Sequence, residues 1–216
     1  IANRSRMLLA IVNGIRAVVS ERFAVAVKLN SADFQRGGFS ADDAKQVISM
    51  LNELRVDLVE ISGGSYEAPA MHGTARDGRT LAREAYFLEF AKDIQATAKM
   101  PIMVTGGIRR REIAEQVINS NIQMVGMGTA LAIAPNTPLD WLEGKNTQPK
   151  LAQIKWKNKP LASLAYMAVV KYQLSKHSVY AKAKPNVSPL WALIIERLDN
   201  ILLSRAYRKR MAKLTQ

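Results

Sequence analysis

Two glycine marks roughly twenty residues apart punctuate the stretch "PIMVTGGIRRREIAEQVINSNIQMVGMGTALA": Gly106-Gly107 and Gly128-Thr129, each after a short apolar run. A Gly-Gly pair between a strand and a helix lets backbone N–H groups approach a ligand with no side chain intervening. The amino end of the following helix adds partial positive charge, which favours a phosphate. The spacing is also what two successive strand–helix units need to bring their loops side by side. One anion site with two walls and two ordinary turns are both compatible with the pattern. Lys28, at the end of "FAVAVKL", is a cation beside such a rim; a strand-end lysine pairing with a carboxylate such as Asp57 is the plainer reading. Tyr66 in "SGGSYEAP" reads first as a packing or rim tyrosine and only second as a candidate substrate contact, and His72 in "AMHG" reads as a polar loop residue. No His/Asp/Glu cluster has metal-ligand spacing and no Ser–His–Asp set is suggested, so no metal ligand or catalytic residue is assigned.

The elements that must position these residues alternate in type. Ala2 to Val19 carries Met7, Leu8, Ile11, Val12 and Ile15 at helical spacing. Phe23 to Leu29 is short and β-rich, and Val56 to Ser62 is a second strand ending at Gly63-Gly64. Between them Ser40 and Asp43 precede Val47, Ile48, Leu51 and Leu54, the pattern of an N-capped helix with an apolar stripe. Arg83 to Ala98 reads as a helix with Tyr86, Phe87, Phe90 and Ile94 on its apolar side. Pro101 to Thr105 is a third strand, Arg111 to Asn119 a helix and Ile122 to Gly128 a fourth strand. Strands separated by helices predict parallel pairing, with functional loops at the carboxyl ends of the strands. Arg109, Arg110 and Arg111 either supply charge to an anion there or solvate the start of a helix.

Composition bounds the rest. A chain of 216 residues with 48% hydrophobic residues can bury a sizeable core. It has no cysteine, which excludes disulfides and thiolate metal sites. Apolar runs fall short of the ~20 residues that span a bilayer, and no signal segment opens the chain; the expected location is cytoplasmic. The first residue, Ile1, stands inside a helical pattern, which reads as a fragment or a processed product. Of the net charge of +13, residues 151–216 carry +11, from thirteen Lys/Arg against Glu196 and Asp199. The chain therefore divides into a near-neutral body, 1–147, and a basic helical extension, 148–216.

Within the extension, Ser188-Pro189 opens a helix with Leu193, Ile194, Leu198, Ile201 and Leu202 on one face and Arg205, Arg208, Lys209, Arg210 and Lys213 at its end. Packing against the body or a partner subunit, as in a homo-oligomer, is the preferred reading. Contact with an anionic membrane surface is the less favoured one, and nucleic acid is not an expected partner.

These segments resemble the carboxyl-terminal half of the Old Yellow Enzyme family of FMN-dependent NADH:flavin oxidoreductases and ene-reductases. The resemblance runs to about Pro138. "NRSRMLLAIVNGIRAVV" is similar to the family helix after the fourth strand, and "FAVAVKLNSADFQRGGFSADDA" to the fifth strand and its loop. "VDLVEISGGSYEAPAM" with "REAYFLEFA" resembles the sixth unit; "PIMVTGGIRRREIAEQVI" and "MVGMGTALAIAPNTP" resemble the seventh and eighth.

The resemblance implies an α/β fold, a TIM (β/α)8 barrel represented by strands 5–8 and their helices, plus the helical extension. It also implies FMN as cofactor, with NAD(P)H donating hydride to FMN and reduced FMN passing it to an activated alkene, a small-molecule substrate. Lys28 falls where the family places a basic residue, usually Arg, near the flavin pyrimidine edge. Gly106 and Gly107 match the seventh-strand phosphate loop and Gly128 the eighth-strand glycine. Thr129 stands where many members have an Arg that pairs with the phosphate. The fourth-strand His pair or His/Asn pair that holds the substrate precedes the part resembled, so turnover by this chain alone is not expected. A phosphate-binding barrel without flavin, or a noncatalytic protein acting through its basic helices, are the alternatives.

Overall fold

The structure, a computed structural model, describes residues 1–33, 36–63, 85, 87–150, 154–178, 184 and 186–214. Two compact units emerge: residues 1–128 with 146–148, and residues 129–145 with 149–216.

The first unit is built as α1 (Ala2–Val18), β1 (Ala26–Asn30), α2 (Ala41–Leu51), β2 (Leu58–Ser62), α3 (Leu88–Gln95), β3 (Ile102–Val104), α4 (Arg111–Asn119) and β4 (Met124–Val125). The strands form one parallel sheet in chain order, as the alternation predicts. Strand side chains alternate in direction, so register decides what shares a face. Val27 pairs with Val59 and Val59 with Ile102, while Ile61 pairs with Val104. All five are buried, together with Val47, Ile48 and Leu51 of α2, Ala91 and Ile94 of α3, and Ala114 and Val117 of α4. The opposite face carries the in-register row Lys28, Glu60, Met103 and Met124.

Local chemistry explains the helix boundaries. Ser40 accepts from the Asp43 N–H and Asp43 from the Ser40 N–H, the reciprocal cap expected for α2. The helix expected from Arg83 begins only at Leu88 among the described residues: Ala85 has φ 58°, and a left-handed residue cannot continue a right-handed helix. Strand β4 is shorter than expected because its ladder holds only Met124 and Val125 before the glycines. The apolar stripe of α1 is only partly covered. Val12 is buried, whereas Met7, Ile11, Ile15 and Val18 form an exposed strip.

Three polar side chains staple the amino-terminal edge of the sheet. Asp57 accepts from the Val25 N–H at 2.7 Å and pairs with Arg16, whose guanidinium also donates to the Arg55 and Phe23 carbonyls. Asn52 donates to the Thr97 carbonyl and accepts from the Lys99 N–H, each at 2.8 Å. Gln123 accepts from the Ile102 N–H at 2.9 Å and donates to the Asn121 carbonyl at 2.7 Å. Each satisfies backbone groups that lie just ahead of a strand or at its first residue.

The second unit contains α5 (Thr129–Ile133), α6 (Thr137–Leu142), α7 (Lys159–Ser178) and α8 (Pro189–Leu214). Sequence periodicity anticipates only α8. Ala168, Val169 and Ala192 form the α7–α8 core, with Tyr172, Val187 and Leu193 packed on it. The rest of the apolar face expected on α8, namely Ile194, Leu198, Ile201 and Leu202, is exposed. No described helix is long and apolar enough to cross a membrane.

The Asp57 staple makes stability pH-dependent. The Val25 N–H, then the Arg16 guanidinium, hold its carboxyl below the usual 3.8. A depressed carboxyl stabilises the fold above the unfolded-state value, and that contribution is lost as pH falls through the folded-state value. Asp57→Asn should lower the melting temperature by a few degrees near neutral pH. Thermal melts at descending pH should show the difference from wild type closing below about pH 4.

Candidate functional site

Parallel pairing sets the carboxyl ends of all four strands on one edge of the sheet. That edge holds Asn30-Ser31 at the end of β1, Ser62-Gly63 at the end of β2, Thr105 to Gly107 after β3, and Gly126 to Gly128 after β4. The two glycine loops are neighbours. The Thr105 hydroxyl donates to the Gly126 carbonyl at 3.2 Å, and the Gly126 N–H donates to the Val104 carbonyl at 2.7 Å.

The glycines there answer to different constraints. Gly106 and Gly107 have φ of 126° and 72°, which side-chain-bearing residues rarely adopt. Gly106 is buried and its carbonyl accepts from the Ala85 N–H at 2.8 Å, while Gly107 is exposed. At Gly126 a Cβ would stand 3.1 Å from the Thr105 Cβ, so glycine there permits the close approach of β3 and β4. A Cβ on Gly128 would enter open space. Neither backbone nor packing requires glycine at 128, which leaves an accessible backbone beside the Gly106-Gly107 loop.

The β1 and β2 ends are closed more tightly. Asp33 bonds the Phe39 N–H through its carboxylate and, through its own N–H, the Phe39 carbonyl, both at 2.9 Å, closing the loop after β1. A Cβ on Gly63 would stand 2.4 Å from Phe87 Cε1 and 3.0 Å from Ser31 Oγ. The Ser31 hydroxyl is fully buried and has no hydrogen-bond partner among the described residues.

Lys28 lies on the sheet face opposite the helices, its side chain half exposed. It forms an ion pair, and its partner is Glu60, the in-register residue of β2, rather than Asp57, which is held by Arg16. Arg110 lies 3.5 Å from Glu112, and Arg111 donates to Glu115 at 2.7 Å, so both guanidiniums are drawn toward acids of α4. Thr129 is the first residue of α5 and falls in the second unit. Tyr66, His72, Gly64 and Tyr86 lie outside the described residues, as does the side chain of His177. Among the described residues no acid/His group could hold a metal ion.

Sequence reasoning missed Glu60 and Gly126. Gly126 was signalled by the G-x-G spacing in "MVGMG". Glu60 becomes the partner of Lys28 only through strand register.

The profile of the NADH:flavin oxidoreductase / NADH oxidase family matches residues 1–148. The chain is 34% identical over 146 residues to the NADH-dependent flavin oxidoreductase iliE of Neonectria sp., covering 63% of this chain and 19% of that protein. It is 33% identical over 141 residues to the iliE protein of Hypocrea jecorina, covering 62% and 35%. Against the NADH oxidase of Thermoanaerobacter brockii it is 26% identical over 147 residues, covering 67% and 22%. The chain thus spans between about a fifth and a third of the length of these relatives.

The distinct constraints predict an ordered glycine series. Gly107→Ala should cost about 1 kcal/mol for its left-handed backbone. Gly63→Ala should cost about 1–3 kcal/mol by overpacking against Phe87. Gly128→Ala should change stability by less than about 0.5 kcal/mol. Urea unfolding of the three variants checks the order.

Proposed function

Because the chain belongs to the NADH:flavin oxidoreductase / NADH oxidase family over residues 1–148, we propose that it is the FMN-holding part of an Old Yellow Enzyme-type oxidoreductase. Its four strands are then the later strand–helix units of a (β/α)8 barrel. The observation that carries this reading is the contact between the two glycine loops, Thr105 to Gly107 and Gly126 to Gly128. The β1 edge, unpaired among the described residues, and the exposed strip Met7, Ile11, Ile15 and Val18 support it too, since both call for further strand–helix cover.

The residues fit the phosphate end of FMN. The positive φ of Gly106 and Gly107 suits a loop whose backbone N–H groups serve an anion, and the space at Gly128 admits a ligand where a side chain would project. Thr129 is a candidate through the family resemblance alone, and a threonine hydroxyl would hold a phosphate more weakly than the bidentate ionic pair of the family's Arg. Lys28 supplies the cation for the pyrimidine edge, and Glu60 holds its ammonium in place. When bound, FMN supplies a two-electron carrier between NAD(P)H and an acceptor such as an activated alkene. The names of the relatives favour NADH as donor. A cation at Lys28 favours the reduced, more anionic flavin and so raises its potential. Tyr66 is retained as a candidate substrate contact, and no residue of this chain is assigned as catalytic.

The test is to complete the chain with the amino-terminal part of the Hypocrea jecorina relative and add FMN. A folded yellow protein with flavin absorbance is expected; a folded, colourless product sinks the reading. In that protein Gly128→Val should keep the melting temperature and weaken FMN about tenfold, equivalent to about 1.4 kcal/mol. Lys28→Met should retain FMN and lower the flavin midpoint potential in a spectroelectrochemical titration.

A further inference from the structure

The carboxyl-terminal half of α8 plays no part in the flavin reading. Its proximal half is anchored. Ala192 is buried against Ala168 and Val169, Glu196 pairs with Lys171, and the Gln173 amide clasps the Lys184 N–H at 2.8 Å and carbonyl at 2.6 Å. From Arg197 to Leu214 every residue is exposed while the helix continues. At helical spacing Leu203, Tyr207, Met211 and Leu214 fall on one side, and Arg205, Arg208, Lys209 and Lys213 on the other, with Arg210 at the border. Leu203, Tyr207 and Leu214 are each more than 60% exposed. No acid follows Asp199. The strip Ile194, Leu198, Ile201 and Leu202 lies on the other side of α8, so the apolar face changes sides near Leu203.

We propose that Leu203–Leu214 docks in the plane of an anionic lipid surface, its apolar strip in the acyl boundary and its cations among the headgroups. Five cations with no acid beside them call for an anionic partner. Two copies of this segment side by side would set cations against cations, so a second chain is the wrong occupant. A nucleic acid would engage the cations and leave the apolar strip in water, whereas an anionic bilayer engages both. Lys and Arg stems reach from the border of the strip up to the phosphates. A twelve-residue amphipathic segment would ordinarily have to form its helix on binding. Here α7 already anchors the preceding turns, so nucleation is complete before contact.

The experiment is flotation of the 216-residue chain with phosphatidylcholine vesicles, with and without roughly 30% phosphatidylserine. The wild type should float with the anionic vesicles only. Arg208→Glu/Lys209→Glu and, separately, Leu203→Ser/Tyr207→Ser should each weaken partitioning at least about tenfold. Both variants alter exposed side chains, and circular dichroism checks that the fold is kept. A Tyr207→Trp variant should shift its emission to the blue on anionic vesicles. Failure of the wild type to float overturns the proposal. So does a Leu203→Ser/Tyr207→Ser variant that binds like wild type, since the contact is then ionic only. Tighter binding to a single-stranded oligonucleotide than to vesicles at equal salt overturns it in favour of nucleic acid.

Discussion

The parallel hydrogen-bond ladder is the constraint on which the first unit depends. Parallel strands cannot be joined by tight turns, so each must be followed by a crossover that returns the chain to the same starting edge. In this chain the crossovers contain α2, α3 and α4, whose apolar stripes bury one face of the sheet. The consequence is directional. All four strands begin at one edge and end at the other, so two kinds of loop, with different duties, are separated in space.

That separation shows in the chemistry of each edge. At the starting edge Asp57, Asn52 and Gln123 bind backbone groups ahead of the strands and fix where the chain turns in. At the finishing edge Asp33 closes the loop after β1 on itself, while the glycine-rich ends of β3 and β4 contact each other. Gly126 lets the ends of β3 and β4 touch, while Gly106 and Gly107 turn the chain through left-handed conformations. Staples stabilise one edge; small residues keep the other open.

The row Lys28, Glu60, Met103 and Met124 lies on the face turned away from α2, α3 and α4, with the Lys28–Glu60 ion pair beside two methionines. The second unit follows other rules. There a small apolar core anchors α7 to the first turns of α8, and charge governs the remainder.

Much of this was legible in the sequence because the signals were local. Helical spacing located α1, α2 and α4, the Ser40/Asp43 pair marked a cap, and the alternation of elements implied parallel pairing. The glycine marks at 106–107 and 128 were legible for the same reason: backbone conformation and chain spacing are near-neighbour properties. The start of α3 was not, because the left-handed turn at Ala85 belongs with a hydrogen bond to Gly106, twenty-one residues on. The exposure of the α1 and α8 strips was equally hidden, since periodicity shows that a face is apolar and not whether anything covers it. By itself the sequence determined the order of elements in the first unit, the positions of its loops and the family. Only the tertiary structure decided that Lys28 faces Glu60 rather than Asp57, that Gly126 is the point of contact between the two glycine loops, and that the α8 strip turns outward. Each of these depends on register between segments far apart in the chain, and register is set by how the faces pack.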